Sequence, residues 1–185
     1  MGASELIKKW IVSLSLLAAV LAAACGAAVW FVKPQQQLDL TYRELRLGDK
    51  LMDMLRSLSL QVTLSEQDIN DLAKKQLAAH RELPHGLLLE GARFELRGDE
   101  LVADVNLRWH DAVPIGARLV FQLQWEDGQL LLTHRQTSIR GVALPAGWLG
   151  LPDVAVPVAD QLPSLVGIKD VTFEPSAIRI ALKLQ

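Results

Sequence analysis

The chain is poor in the residues that most often carry chemistry. Of its 185 residues one is cysteine and four are histidine. A lone thiol at Cys25, inside an apolar run, excludes disulfides within the rest of the chain and the cysteine-rich zinc sites. The histidines, His80, His85, His110 and His134, share no ligand spacing such as His-x-x-x-His. No Gly-x-Ser-x-Gly elbow and no glycine-rich phosphate loop occurs. Charge of one sign never forms a block, because 19 Lys and Arg are scattered among 21 Asp and Glu. Nucleic-acid binding calls for a basic face with aromatic rings to stack on, so that class is set aside. No cofactor, metal ligand or catalytic residue is expected, and a protein that is not an enzyme is the reading that remains.

Hydrophobicity is what the chain has in excess, at 50%, and much of it lies before Lys33. No charged residue occurs from Trp10 to Val32. About 23 residues at ~1.5 Å rise make a helix of roughly 34 Å, enough to cross a hydrocarbon core of ~30 Å. Trp10 at one end, and Trp30 with Phe31 at the other, stand where aromatic rings favour the interface. Lys8 and Lys9 outnumber Lys33, which keeps the N-terminus cytoplasmic and sends the C-terminal domain outside. Cys25 lies in "LAAACGAAVWF", which reads loosely as a lipobox. The large aliphatic residue due three places before the cysteine is missing, since Leu21 stands one place too early. Cleavage there would also strand an apolar heptapeptide, residues 26–32, so a retained span is expected. The resulting partition is a cytoplasmic N-terminus (1–9), a transmembrane helix (10–32), a tether and membrane-proximal segment (33–57) and an extracytoplasmic domain (58–185). The polar "KPQQQ" at 33–37 reads as a short tether.

Beyond the tether, Leu51, Met52 and Leu55 recur at helical spacing and predict a membrane-proximal helix, although Gly48 interrupts it. Leu58, Leu60, Val62 and Leu64 alternate as in a strand. The clearest helix runs over 65–80. Ser65 fits its N-cap and Asp68 a capping box, and Ile69, Leu72, Ala73 and Leu77 form an apolar stripe. Strand alternation comes next in Ala92, Phe94 and Leu96, in Leu101 to Trp109, and, after a loop with Pro114, in Ala117 to Trp125. Asp127-Gly128 is a two-residue hairpin signal. Prolines at 145, 152, 157 and 163 forbid a long helix over 141–163 and leave room for short turns. A last hairpin turns around Glu174-Pro175-Ser176. The fold class expected is α+β: an N-terminal transmembrane helix, then an antiparallel β-meander of about six strands packed on one main helix.

The order of these pieces, with "TLSEQDINDL", "RGVALPAGWL" and "LPSLVGIKDVTFEPSAIRIAL" as landmarks, resembles the YpmS family of Gram-positive bacteria. The resemblance covers most of the chain after residue 55. That family has no settled activity, so the resemblance implies topology and no site residues. Its layout looks like half of a tubular lipid-binding module, in which a twisted sheet wraps a helix and leaves an apolar groove. The proline-rich stretch departs from the more helical segment expected there.

Function is therefore expected from apolar faces: Ile69, Leu72, Phe94, Leu107, Trp109, Phe121, Leu123, Trp125 and Trp148. As a core, these residues lie under the 65–80 helix. As a groove, they reflect that one helix is too small to cover six strands, and the open part takes a lipid or another apolar molecule. Trp148, flanked by Gly and Pro, is expected at a rim or in a lid. The first expectation is a single-pass cell-envelope protein whose extracellular domain binds a lipid. The alternative is a membrane-tethered adaptor or scaffold that docks an envelope enzyme by the same face or by a sheet edge. The partners implied are the cytoplasmic membrane, a lipid and an envelope protein.

Overall fold

A computed structural model describes residues 3–44, 61–145, 151–156, 158 and 166–184, with side chains in the first helix from residue 14 onward. The apolar run forms one helix, α1 (Ala3–Val32), which begins well before Trp10 and stops at Lys33-Pro34. Proline lacks the N–H a helix needs and turns the residue before it away from helical angles. The stretch Leu14–Val32 is long and apolar enough to cross a membrane, and none of it is buried. Leu14, Leu16, Val20 and Trp30 are mostly exposed, an apolar cylinder that the rest of the chain leaves bare. The expected helix around Leu51, Met52 and Leu55, the strand positions Leu58 and Leu60, and Trp148 lie outside the described residues.

Beyond α1 the chain is α+β, with two antiparallel sheets where a single meander was expected. The smaller sheet has the order β1 (Gln61–Ser65), β10 (Ala177–Leu184), β9 (Val166–Glu174). The larger has the order β2 (Glu82–Leu83), β3 (Leu87–Arg97), β4 (Glu100–Trp109), β5 (Val113–Glu126), β6 (Gln129–Ile139), β7 (Val142–Ala143). β8 (Val154–Val156) pairs with β6 as well. The proline-rich segment thus supplies two short strands. Pro114 stands inside β5 opposite Arg108, one residue from the strand start, where a missing N–H is tolerated.

The core lies between the sheets. Leu101, Ala103, Val105 and Leu107 of β4 join Ala92, Phe94 and Leu96 of β3, Ala117, Leu119 and Leu123 of β5, and Ile178, Ile180 and Leu182 of β10 in one buried cluster. Period-two alternation puts these residues on one face, and β10 supplies the opposing layer that the sequence assigned to the helix. The helix, α2 (Glu66–Ala79), has the predicted capping box, with Ser65 and Asp68 satisfying each other's backbone N–H. Ile69, Ala73 and Leu77 touch the core, but its most buried residues are Asp68 and Asp71.

Those polar residues reflect where α2 lies, along the free edge of β3. The Asn70 side chain takes the place of a neighbouring strand. Its Nδ2 donates to the Phe94 carbonyl and its Oδ1 accepts the Phe94 N–H at 3.0 Å. Glu66 accepts the Leu96 N–H at 3.1 Å, and the Arg81 carbonyl accepts that of Leu89 at 2.8 Å. An edge that would invite pairing with another chain is closed by side chains and by irregular backbone. Asn70→Ala should leave both Phe94 groups unpaired and cost about 1–3 kcal/mol, roughly 2–10 °C in melting temperature. Thermal unfolding of the full chain in detergent measures it, and an unchanged midpoint would show that water replaces the amide at no cost.

Candidate functional site

The residues after α1 do not hang free. Residues 34–43 form a strap laid across the outer face of the larger sheet, and the sequence at three paired positions explains why it fits. Gly91, Asn106 and Gly116 are direct cross-strand partners on β3, β4 and β5. A Cβ added at Gly116 would lie 2.7 Å from Pro34 Cα, and one at Gly91 would overlap the Leu38 carbonyl. Between the two glycines, buried Asn106 donates from Nδ2 to the Gln36 carbonyl at 2.7 Å. Backbone therefore passes at contact distance over two strands and is bonded to the one between them.

Both ends of the strap are fastened. At the helix end, the Arg140 guanidinium donates to the Trp30 carbonyl at 3.1 Å and lies 4.7 Å from the Trp30 ring centroid and 5.8 Å from that of Phe31. That carbonyl is in the last turn of α1, where the helix leaves acceptors unsatisfied and favours a cation. Arg140 opens the β6–β7 hairpin turn at φ 49°, with Gly141 next at φ 81°. A left-handed conformation is uncommon for a side chain of this size. At the far end, the Asp39 carbonyl accepts the Ala92 N–H at 3.2 Å, Leu40 is 6% exposed within the core cluster, and Asp71 accepts the Arg43 N–H at 3.2 Å. The Thr41 N–H on the Asp39 carboxylate holds its pKa below the usual range, and Lys74 adds to this. That preference for the charged form is present above the unfolded carboxylate pKa and is lost as pH falls through the folded one.

Beside the strap is a cleft of about 220 Å³, with Lys33, Gln35, Gln36 and Leu38 on one wall. Asp104, Asn106, Gly116, Arg118 and Ser138 line the sheet side, with Arg140 and Gly141 at the hairpin. Arg118 grips Asp104 with Nε at 2.7 Å and a second nitrogen at 3.0 Å, which raises the guanidinium pKa. Arg93 approaches the same carboxylate at 3.6 Å. One anion is thus shared by two cations.

The apolar residues named from sequence divide into groups. Phe94, Leu107 and Leu123 are buried in the core, with Ile69 and Phe121 packed against it. Leu72 and Trp125 are half-buried outside that cluster. Trp109 is 46% exposed at the end of β4, its ring centroid 5.0 Å from that of His110. Trp30 and Phe31 lie in the last turn of α1 against Arg140, whereas Trp10 falls within the helix and not at its start. The histidines are dispersed, and among the described residues no three metal-binding side chains converge. Sequence reasoning missed the strap and its seat. Its one signal was a glycine inside each of two well-patterned strands, which marks a close backbone approach. Comparison with protein-family models, curated proteins and solved structures finds no match for this chain.

Gly91→Ala should force the strap off its seat and lower stability by about 1–3 kcal/mol. Gly26→Ala, where no atom lies within 4 Å of the added carbon, should leave the unfolding midpoint unchanged. In a second measurement, spin labels on exposed Cys25 and on Gln129→Cys should give a narrow distance distribution in the otherwise native chain. Combining Asn106→Ala with Arg140→Ala should broaden it. Equal widths would mean that the strap does not fix the helix to the sheet.

Proposed function

We propose that the chain is a single-pass membrane protein that presents its β domain outside the cytoplasmic membrane as a non-enzymatic docking module for another envelope protein. The fastened strap carries the reading. A domain on a loose tether samples every orientation above the bilayer, whereas bonds from Arg140, Asn106, Ala92 and Asp71 fix this one relative to α1. Fixed presentation suits a scaffold, because a partner then meets one surface at one height and part of the orientational cost of association is already met. A retained α1 is part of the same reading. Val32 packs against the core and the Trp30 carbonyl is held by a side chain of the domain, features a discarded signal segment has no use for. The orientation rests on Lys8 and Lys9, and the place beside the YpmS family on the order of the chain's elements.

Binding of an acyl chain by the strand face is the second reading. It needs an open apolar face. The half-exposed Trp109 favours it, while the packing of β10 over β3, β4 and β5 favours the docking module.

Two measurements test the anchor and its direction. Intact mass of the chain extracted from membranes should correspond to the whole sequence, and a mature chain starting at or near Cys25, or palmitate on it, would reverse the reading. An impermeant thiol reagent should label Gln129→Cys in a Cys25→Ala background on intact cells. Labelling only after lysis would invert the topology. For docking, a photoreactive residue on the exposed sheet surface should crosslink one envelope protein reproducibly, and loss of that product with the Gly91→Ala strap variant would tie it to fixed presentation.

A further inference from the structure

We infer that the cleft beside the strap binds the phosphate of a membrane phospholipid, a role that rests on the proposed retention of the anchor. Three features of the site converge on an oxyanion. The first is charge. Lys33, Arg118 and Arg140 line the cleft with Asp104 as the only carboxylate, and Asp104 is already engaged by Arg118 and Arg93. Neither Lys33 nor Arg140 pairs with a carboxylate among the described residues.

The second is unused donor capacity. A guanidinium carries five N–H groups. Arg140 commits one of its nitrogens to the Trp30 carbonyl, and its buried Nε has no partner among the described residues. Buried donors are almost always satisfied, so a guanidinium that lines the cleft with bonding capacity left over is suited to take up an acceptor. Gln35, Gln36 and Ser138 add neutral donors on the same walls. Arg140 occupies this position in a left-handed turn that strongly favours other residues, an uncommon conformation for arginine.

The third is depth. Lys33 lies three residues beyond Trp30, which is ~4.5 Å of helix axis. The headgroup layer on each side of a bilayer is roughly 5–8 Å thick. If Trp30 and Phe31 mark the end of the hydrocarbon, Lys33 and Arg140 stand among the phosphates. A volume of about 220 Å³ admits a phosphodiester headgroup and no acyl chain, which stays beside α1 in the bilayer. Lipid phosphate and free phosphate share this chemistry. The location at the end of an exposed apolar helix selects the lipid.

The experiment uses the full chain in neutral detergent and native mass spectrometry with added dioleoyl phosphatidylglycerol. The native chain should retain one lipid. Lys33→Gln and Arg140→Gln should each weaken retention about five- to tenfold, and Arg97→Gln, whose side chain pairs with Glu95 away from the cleft, should not. The Lys33 side chain makes no hydrogen bond or ion pair among the described residues, so its variant still reports if Arg140→Gln unfolds. An equal loss with Arg97→Gln, or no loss with Lys33→Gln, overturns the site. If millimolar inorganic phosphate displaces the lipid and binds the lipid-free chain with the same dependence on Lys33, the lipid assignment falls. Alkaline extraction of membranes separates this inference from the anchor. A chain released into the supernatant overturns the anchor, and one that stays embedded but keeps no lipid overturns the cleft alone.

Discussion

The backbone of residues 34–39 lies in contact with the outer face of a β-sheet, and this contact is possible only because Gly91 and Gly116 have no side chains. Most sheets of this kind turn such a face to water, with polar side chains standing several ångströms off the strands. Here the face is cleared at two positions of one cross-strand row, and the buried amide of Asn106 between them satisfies a carbonyl that would otherwise lose its water. The direction in which α1 leaves the domain, the wall of the cleft and the entry of Leu40 into the core all depend on that row. Of the forces that hold the strap, burial of Leu40 is the largest single contribution, about 1.5–3 kcal/mol. The individual hydrogen bonds contribute about 0.5–1.5 kcal/mol each. The surface ion pair of Arg118 with Asp104 is worth about 0–1 kcal/mol and matters for local potential more than for stability.

A similar substitution of irregular chain for strand occurs at β3. Past its short pairing with β2, its outer edge is met by four different partners: the Arg81 carbonyl, the Asp39 carbonyl, the Asn70 amide and the Glu66 carboxylate. None of them is a strand. The β-bulge between Leu89 and Gly91 makes this workable, because it turns the edge so that strap and helix can share it. α2 is accordingly less a lid on the core than a bracket along one side.

The legible part of the sequence was what periodicity encodes. Leu101 to Leu107 and Ala117 to Leu123 alternate cleanly because one side of each strand faces a dry core, and Ser65 with Asp68 states a helix start in four residues. The hairpin at Asp127-Gly128 was readable for the same reason, since local turn chemistry fixes it. The strap was not readable, because "KPQQQLDL" has the composition of a linker. What makes it ordered lies some 50 to 110 residues downstream, in two glycines, an asparagine and an arginine that look incidental in their own strands. The second sheet was hidden similarly: β10 has the pattern of any amphipathic strand, and nothing local says that it faces β4 across the core. Arg140 is the sharpest case. As a charged residue beside a glycine it reads as an ordinary turn, and only the position of the Trp30 carbonyl gives it a partner.

The separation between Trp30 and Arg140 has a consequence for the order in which the molecule is made. Synthesis proceeds at about 5–20 residues per second, so the arginine that fastens the helix is made on the order of 5–20 s after the helix itself. The seat at Gly91, Asn106 and Gly116 is complete only once β5 exists, and the β6 hairpin that carries Arg140 comes later still. During that interval α1 is a free apolar segment, able to partition and adjust its tilt without dragging a folded body. As the proposed anchor, α1 would have its depth chosen by the lipid first and its angle set last, by the domain. The fastening residue is thus made late, and an anchor seated at the wrong depth would present Trp30 out of reach of Arg140.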